Sequence, residues 1–227
     1  MKMGVFLSVI LWAWVLTVGA KNIEPRFDGK KITNDVFWNT AEGMPLYSQG
    51  GGIFRYPDPD TGRLRYYWYG VRYAEAVRYR EDPSVTYPAC TFEAVTCYSS
   101  DDLINWYYEG DVLTREEVDC YGRAGWVGRM GVAYLEAWNQ YVLVVQHDNG
   151  VLFALSHTPN GRFTWHRRIT MEKIIGTPNT GDQTVFVDED TRKPYLIYSY
   201  GRGRNRIYVS EIGIRDGQVD LLDCTQV

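Results

Sequence analysis

A strand–turn–strand–turn–strand unit occurs three times in this chain, and that repetition restricts the fold more than any single motif does. The first copy runs GGGIFRYPDPDTGRLRYYWYG and then AVTCYSSDDLINWYYEG. The second is MGVAYLEAWNQYVLVVQHD followed by VLFALSHTPNGRFTWHR, and the third QTVFVDEDTRKPYLIYSYG followed by RIYVSEIGIRDG. Ser99, Ser156 and Ser210 recur at intervals of 57 and 54 residues, and Trp106 and Trp165 lie 59 apart. DPDTGR, EAWNQ and DEDTRK supply the turns between first and second strands, rich in the Asp, Gly and Asn that turns favour. No segment carries a 3.6-residue apolar stripe of helical length, so helices are minor. YYWYG and YVLVVQH are nearly continuous apolar runs, as expected of strands whose sheets are covered on both faces.

Sheets of three or four strands repeated at this spacing imply an all-β fold, a β-propeller with stacked blades. A β-sandwich would not repeat one unit with matched Ser and Trp positions. Propellers close a ring with roughly 4–8 blades, so about three blades leave the ring open. The chain is therefore expected to be the front portion of a longer propeller, or to have its missing blades supplied by a partner.

The first 20 residues read as an export signal. Lys2 gives a positive start, Val5 to Val18 is apolar apart from Ser8 and Thr17, and Val18-Gly19-Ala20 is a small-residue cleavage site. The apolar run is shorter than the ~20 residues a spanning helix needs. Cleavage after Ala20 is expected, leaving residues 21–227 as one incomplete propeller domain, secreted or periplasmic, with no membrane association. The formal net charge is −4 and the basic residues are scattered, so no basic stripe marks a nucleic-acid partner. Four cysteines allow three pairings. Cys97, in the apolar run AVTCYSS, reads as a buried thiol; Cys90 and Cys120 flank that run in loop-like sequence and form the expected bridge. Aromatic residues make up 15% of the chain. They suit a pleated surface and also offer flat apolar faces to sugars, and composition alone does not separate the two uses.

SQGGGIF followed by YYWYG, then CYSSDDLINW, then GDQTVFVDEDTRKPYLIYS resembles secreted proteins of glycoside hydrolase family 43, particularly members similar to exo-β-1,3-galactanases. The resemblance covers Phe27 to Ile212 with its motifs in order. It implies a five-bladed propeller of the family 43 type with a sugar pocket on the axis. It also implies inverting hydrolysis of galactose-, arabinose- or xylose-containing plant-type polysaccharides. Inversion needs a general acid and a base about 6.5–9.5 Å apart, and a third acid commonly tunes the pKa of the first.

On that resemblance Asp182, in GDQTVF, matches the pKa-tuning aspartate, its alternative being a turn residue that caps the strand after Gly181. Gln49, in SQGGG, stands where many members carry the base aspartate. Gly50 to Gly52 offer close backbone approach to a ligand or serve a plain turn. Val71 and Gly128 depart from the galactanase-like pattern, which has glutamates there, while Arg129 remains a sugar or carboxylate contact. Glu93, in TFEAVTCYSS, falls on the face of Val95 and Cys97 by strict alternation. It is either a substitute catalytic carboxylate or an edge residue open to solvent. His147 and Asp148, in VVQHDNG, face the axis in relatives as sugar ligands; two such ligands do not make a metal site, and neither metal nor cofactor is expected. Trp126 stacks on sugar or packs in the core. The family's general acid is a glutamate at the start of a fourth blade, which Glu211 does not match. The expectation is thus an impaired or incomplete O-glycosyl hydrolase, or a non-catalytic carbohydrate-binding propeller, with a product too incomplete to fold stably as a third reading.

Overall fold

The computed structural model describes residues 32, 35–119, 125–148, 150–200 and 205–227; the expected export signal and Cys120 lie outside them. The described chain is all-β, with twelve strands in three four-stranded sheets. Sheet 1 comprises β1 (Gln49–Pro57), β2 (Leu64–Tyr73), β3 (Phe92–Ser100) and β4 (Tyr107–Thr114). Sheet 2 comprises β5 (Val127–Leu135), β6 (Gln140–His147), β7 (Gly150–Ser156) and β8 (Thr164–Ile169). Sheet 3 comprises β9 (Gln183–Val187), β10 (Pro194–Tyr200), β11 (Arg206–Arg215) and β12 (Gln218–Gln226). Every sheet is an antiparallel meander in chain order. Three short helices punctuate the connections: α1 (Ala76–Glu81), α2 (Arg115–Asp119) and α3 (Glu172–Ile175). No helix among the described residues is long and apolar enough to cross a membrane.

The repeat is visible in the hydrogen bonding. In DPDTGR the Asp58 carboxylate accepts the backbone N–H and hydroxyl of Thr61, both at 2.8 Å. In DEDTRK, Asp188 receives the same two donors from Thr191 at 2.7 and 2.8 Å. Sheet 2 turns differently, through a single 3₁₀ turn ended by Asn139 at φ 53°. Ser99 sits opposite Tyr67 and Ser156 opposite Tyr141. Ser210 is instead opposite Leu196, and its hydroxyl meets the Tyr198 hydroxyl at 3.1 Å.

Alternation along each strand decides which sheets it joins. On β6, Leu143 and Val145 pack in the core shared with Tyr67, Tyr69 and Val95 of sheet 1. Val142 and Val144 pack in a second core with Val185, Leu196 and Tyr198 of sheet 3. Sheet 2 is covered on both faces, which explains its unbroken apolar run. Each such large side chain contributes roughly 1.5–3 kcal/mol by leaving water. On β2, Tyr67 and Tyr69 face sheet 2, while Trp68 turns the other way and meets Trp38 and Trp106 edge-on at 5.9 and 5.2 Å. The segment before β1 thereby covers part of the outer face of sheet 1.

The first strands converge. β5 lies between β1 and β9 and contacts both. At their crossing Gly131 has no room for a side chain: a Cβ there would stand 2.5 Å from Val185 Cβ and 2.9 Å from the Phe54 ring. Phe54 packs against both cores. Three phenols tie sheet 1 to sheet 2, each donating to a backbone carbonyl: Tyr56 to Val132 at 2.7 Å, Tyr69 to Pro159 at 2.6 Å and Tyr73 to Val127 at 2.6 Å. Burial raises all three phenol pKa values, that of Tyr73 to about 12, so the groups remain donors.

The three sheets do not close a ring, and a cleft of about 890 Å³ opens beside Ile53 of β1 and Phe186 of β9. Cys97 is fully buried, as expected. Cys90 is an exposed free thiol, so the expected bridge from it is not formed. Gly131→Ala should destabilise the fold by about 1–3 kcal/mol, since the crowding is against packed groups on two other strands. A lower urea midpoint with an unchanged slope would establish this, and an unchanged midpoint would refute it.

Candidate functional site

The amino ends of the three first strands gather at one end of the crossing, and each brings a polar group. Gln49 opens β1 and is exposed. Its strand reaches this point through a bulge between Gln49 and Gly52. There Gly50 adopts φ +70°, and a Cβ on Gly51 would lie 1.6 Å from the Tyr69 carbonyl oxygen. The glycine run therefore serves a backbone crossing that no other residue fits. Arg129 is the third residue of β5, and its Nε lies 3.3 Å from Asp182 Oδ1, immediately before β9. The Arg129 side chain also flanks Gly50: a Cβ there would be 3.4 Å from its Nη1. Gln49, Arg129 and Asp182, drawn from three copies, thus lie together.

The Arg129–Asp182 pair is 42% and 50% exposed, so it contributes at most about 1 kcal/mol to stability. Its geometry comes from beneath. Gln146, 4% exposed, accepts the Arg129 N–H at 3.3 Å and donates to the carbonyls of Thr180 and Gly181. Gln183, also buried, donates to the Arg129 carbonyl at 3.2 Å and accepts the Thr180 hydroxyl at 2.9 Å. Asp182 is fixed through its own carbonyl, which accepts the Ser199 N–H at 2.8 Å. Neither glutamine figured among the sequence candidates. The available signal was a glutamine inside each of two apolar runs, VVQH and QTVFV, since buried amides need partners.

Asp148 and Trp126 form a second unit. Asp148, at φ 44°, accepts the Trp126 N–H at 2.7 Å and returns its own N–H to the Trp126 carbonyl at 2.9 Å. The indole is 46% exposed and lies over Gly128, where a Cβ would come within 2.2 Å of the ring. Trp126 is therefore not a core residue. Any side chain at position 128 would displace it. Val71, opposite Gln49 on β2, is buried at 1% exposure. Apolar groups thus occupy both positions where the resemblance called for acids.

Two sequence expectations need correction. Glu93 does not share the buried face of Val95 and Cys97. A bulge lets Phe92 and Ala94 pair with Tyr73 and Arg72 while Glu93 drops out of register. Its half-exposed carboxylate accepts Arg72 Nε at 3.1 Å, and Arg72 also makes a bidentate pair with Asp111 at 2.8 Å. His147 is not exposed beside Asp148: it is 2% exposed, lies edge-on to Trp165 at 6.0 Å, and its Nε2 has no hydrogen-bond partner among the described residues. Among the described residues no cluster of three or more His, Cys, Asp or Glu is arranged to hold a metal.

Two cavities flank this end of the crossing, of about 730 and 850 Å³, and they share Gln49, Tyr73, Tyr87 and Cys90 as a common wall. The first is largely aromatic, with Trp38, Trp68 and Tyr79 among its walls and Glu75 as the one carboxylate among its described lining residues. The second is more polar and contains Trp126, Arg115 and Asp148.

Burial pushes His147 and His166 below the ordinary histidine value of 6.5. Both take up a proton more readily when unfolded, so their contribution to stability is full above pH 6.5 and falls as pH drops toward the folded values. The facing charges at His147 are Asp148 and Arg168. Melting temperature should fall between about pH 7.5 and about pH 5.5, and His147→Gln should flatten that dependence. An equally steep profile in the variant would show that His147 contributes nothing to it.

No protein-family model and no curated protein matches this sequence. Solved structures do. An exo-β-1,3-galactanase from Clostridium thermocellum is 26% identical with a TM-score of 0.61, over 84% of this chain and 40% of that one. An exo-β-1,3-galactanase from Phanerochaete chrysosporium, solved with galactose, is 21% identical with a TM-score of 0.63, over 86% and 42%. A GH43 β-1,3-galactosidase solved with galactodeoxynojirimycin is 21% identical with a TM-score of 0.64, over 86% and 66%. The chain spans about two fifths of the length of the two galactanases. Three meander sheets in chain order, their first strands meeting at one crossing, superpose on those enzymes over most of this chain, which is accordingly a GH43-like protein.

Proposed function

We propose that this chain forms the front part of a secreted glycoside hydrolase of the five-bladed type. It would act by inversion on galactose-, arabinose- or xylose-containing plant-type polysaccharides. The observation that carries the reading is the Arg129–Asp182 pair, held from beneath by buried glutamines and flanked by Gly50 next to Gln49 at one end of the crossing of the three first strands. Asp182 stands immediately before the inner strand β9, with the Arg129 guanidinium beside it. In an inverting site this carboxylate tunes or assists a proton transfer, while Gln49, Arg129, Trp126 and Asp148 bind hydroxyls or sugar faces. Glu93, tied to Arg72 and half exposed, is a poor second carboxylate. The galactanase and galactosidase likenesses, with galactose or an iminosugar named in two of them, favour a galactoside among the three sugar classes. An oxidising, extracytoplasmic location follows from the export signal read in residues 1–20.

A second reading is a carbohydrate-binding propeller without turnover. Val71 and the indole-covered Gly128 favour it, because apolar groups stand where hydrolysis would use acids.

The deciding experiment assays residues 21–227 against aryl β-galactoside, α-arabinofuranoside and β-xyloside, beside Asp182→Asn. Only impaired hydrolysis of the galactoside is expected, because no residue of this chain matches the family's general acid, and that residual turnover should fall on the order of 10²-fold or more in the variant. Turnover that survives the substitution would place the chemistry elsewhere. Sugar binding without turnover by a folded, monodisperse chain would establish the second reading.

A further inference from the structure

The β2–β3 connection, residues 74–91, is the longest link within any sheet, and it stands between the two cavities. We propose that it builds a paired subsite for one neutral oligosaccharide, whose neighbouring units occupy the two cavities on either side of the Tyr73–Tyr87–Cys90 wall. The proposal rests on the carbohydrate reading above and adds to it the residues that read units beyond the crossing.

The aromatic cavity has the chemistry of a sugar site. Trp38, Trp68 and Tyr79 offer rings to the C–H faces of a pyranose, while Gln49 and Glu75 offer acceptors for its hydroxyls. These walls are held in place before any ligand arrives. Trp38 and Trp68 pack edge-on at 5.9 Å, and Phe37 and Tyr79 at 6.1 Å. The Arg80 guanidinium lies 5.2 Å over the Phe37 ring, donates to the Trp38 carbonyl at 2.9 Å, and donates to the Asn39 side chain at 2.5 Å. Glu75 accepts the Thr91 N–H at 2.8 Å, which lowers its pKa and keeps it an ionised acceptor. A preorganised wall avoids the ordering cost that weakens binding.

The second cavity repeats the pattern with Trp126, whose backbone is clamped on both sides by Asp148 and whose indole faces outward. Tyr73 joins the two, since its hydroxyl is pinned to the Val127 carbonyl next to Trp126. Charge points to a neutral ligand. Among the described lining residues, the first cavity carries Glu75 with Arg80 and the second Asp148 with Arg115, one charge of each sign. Each volume lies within the range of roughly 300–1,000 Å³ that small ligands occupy, so the pair exceeds the needs of one sugar.

Cys90, exposed in the shared wall, is a built-in reporter, and exposed Cys224 on β12 is its control. The test alkylates the full chain with iodoacetamide with and without β-1,3-galactotriose and follows each cysteine by peptide mass spectrometry. Ligand at about five times its Kd should slow Cys90 about six-fold and leave Cys224 unchanged. Trp126→Ala, a substitution at an exposed ring, should abolish the protection at the same concentration while circular dichroism stays native. Calorimetric binding of galactotriose that is weakened by Asp182→Asn but leaves Cys90 unprotected would overturn the paired subsite and leave the reading at the crossing intact. Equal slowing of both cysteines would overturn it as well, as general stabilisation. Absence of binding by galactotriose, xylotriose and arabinotriose alike would overturn both readings.

Discussion

Everything in this molecule depends on how closely three strands approach one another at Gly131. Phe54 and Val185 fill the space a side chain would take there, so β1 and β9 pack their side chains directly against the backbone of β5. That contact places the sheets side by side around a common line, and alternation along β6 then gives each face of the middle sheet a partner. The polar ends of the same strands meet one turn of the pleat away. The candidate site is a by-product of the packing, because fixing the crossing also fixes the separation of Gln49, Arg129 and Asp182.

The fold was legible in the sequence for a physical reason. A repeated unit must bury a repeated face, and the Asp–Thr turns of the first and third copies form the same hydrogen bonds because they have the same residues in the same places. The outer strands were harder to see. TWHRRI and QVDLLDCTQ mix charge with apolar residues, as edge strands do, and carry little periodic signal.

The site was legible only in part. Asp182 and Arg129 were named separately from motif context, and the structure brings them together. Glu93 misled because alternation assumes an unbroken ladder, and one bulge moves a side chain to the other face. His147 misled because it ends a strand, where the last side chain points into packing while the next residue, at positive φ, turns outward. The buried glutamines and the 74–91 wall depend on contacts across sheets, which no local pattern encodes.

The three phenols that join sheet 1 to sheet 2 all end on peptide carbonyls. A carbonyl belongs to every residue alike, so this seam places no demand on the identity of the side chains it crosses. Sheet 2 can exchange residues at Val127, Val132 or Pro159 without losing a hydrogen bond, provided the backbone keeps its course. The shape of the joint is thereby decoupled from the letters on one of its sides, which is how an architecture persists while little more than a fifth of its residues coincide with those of its structural neighbours.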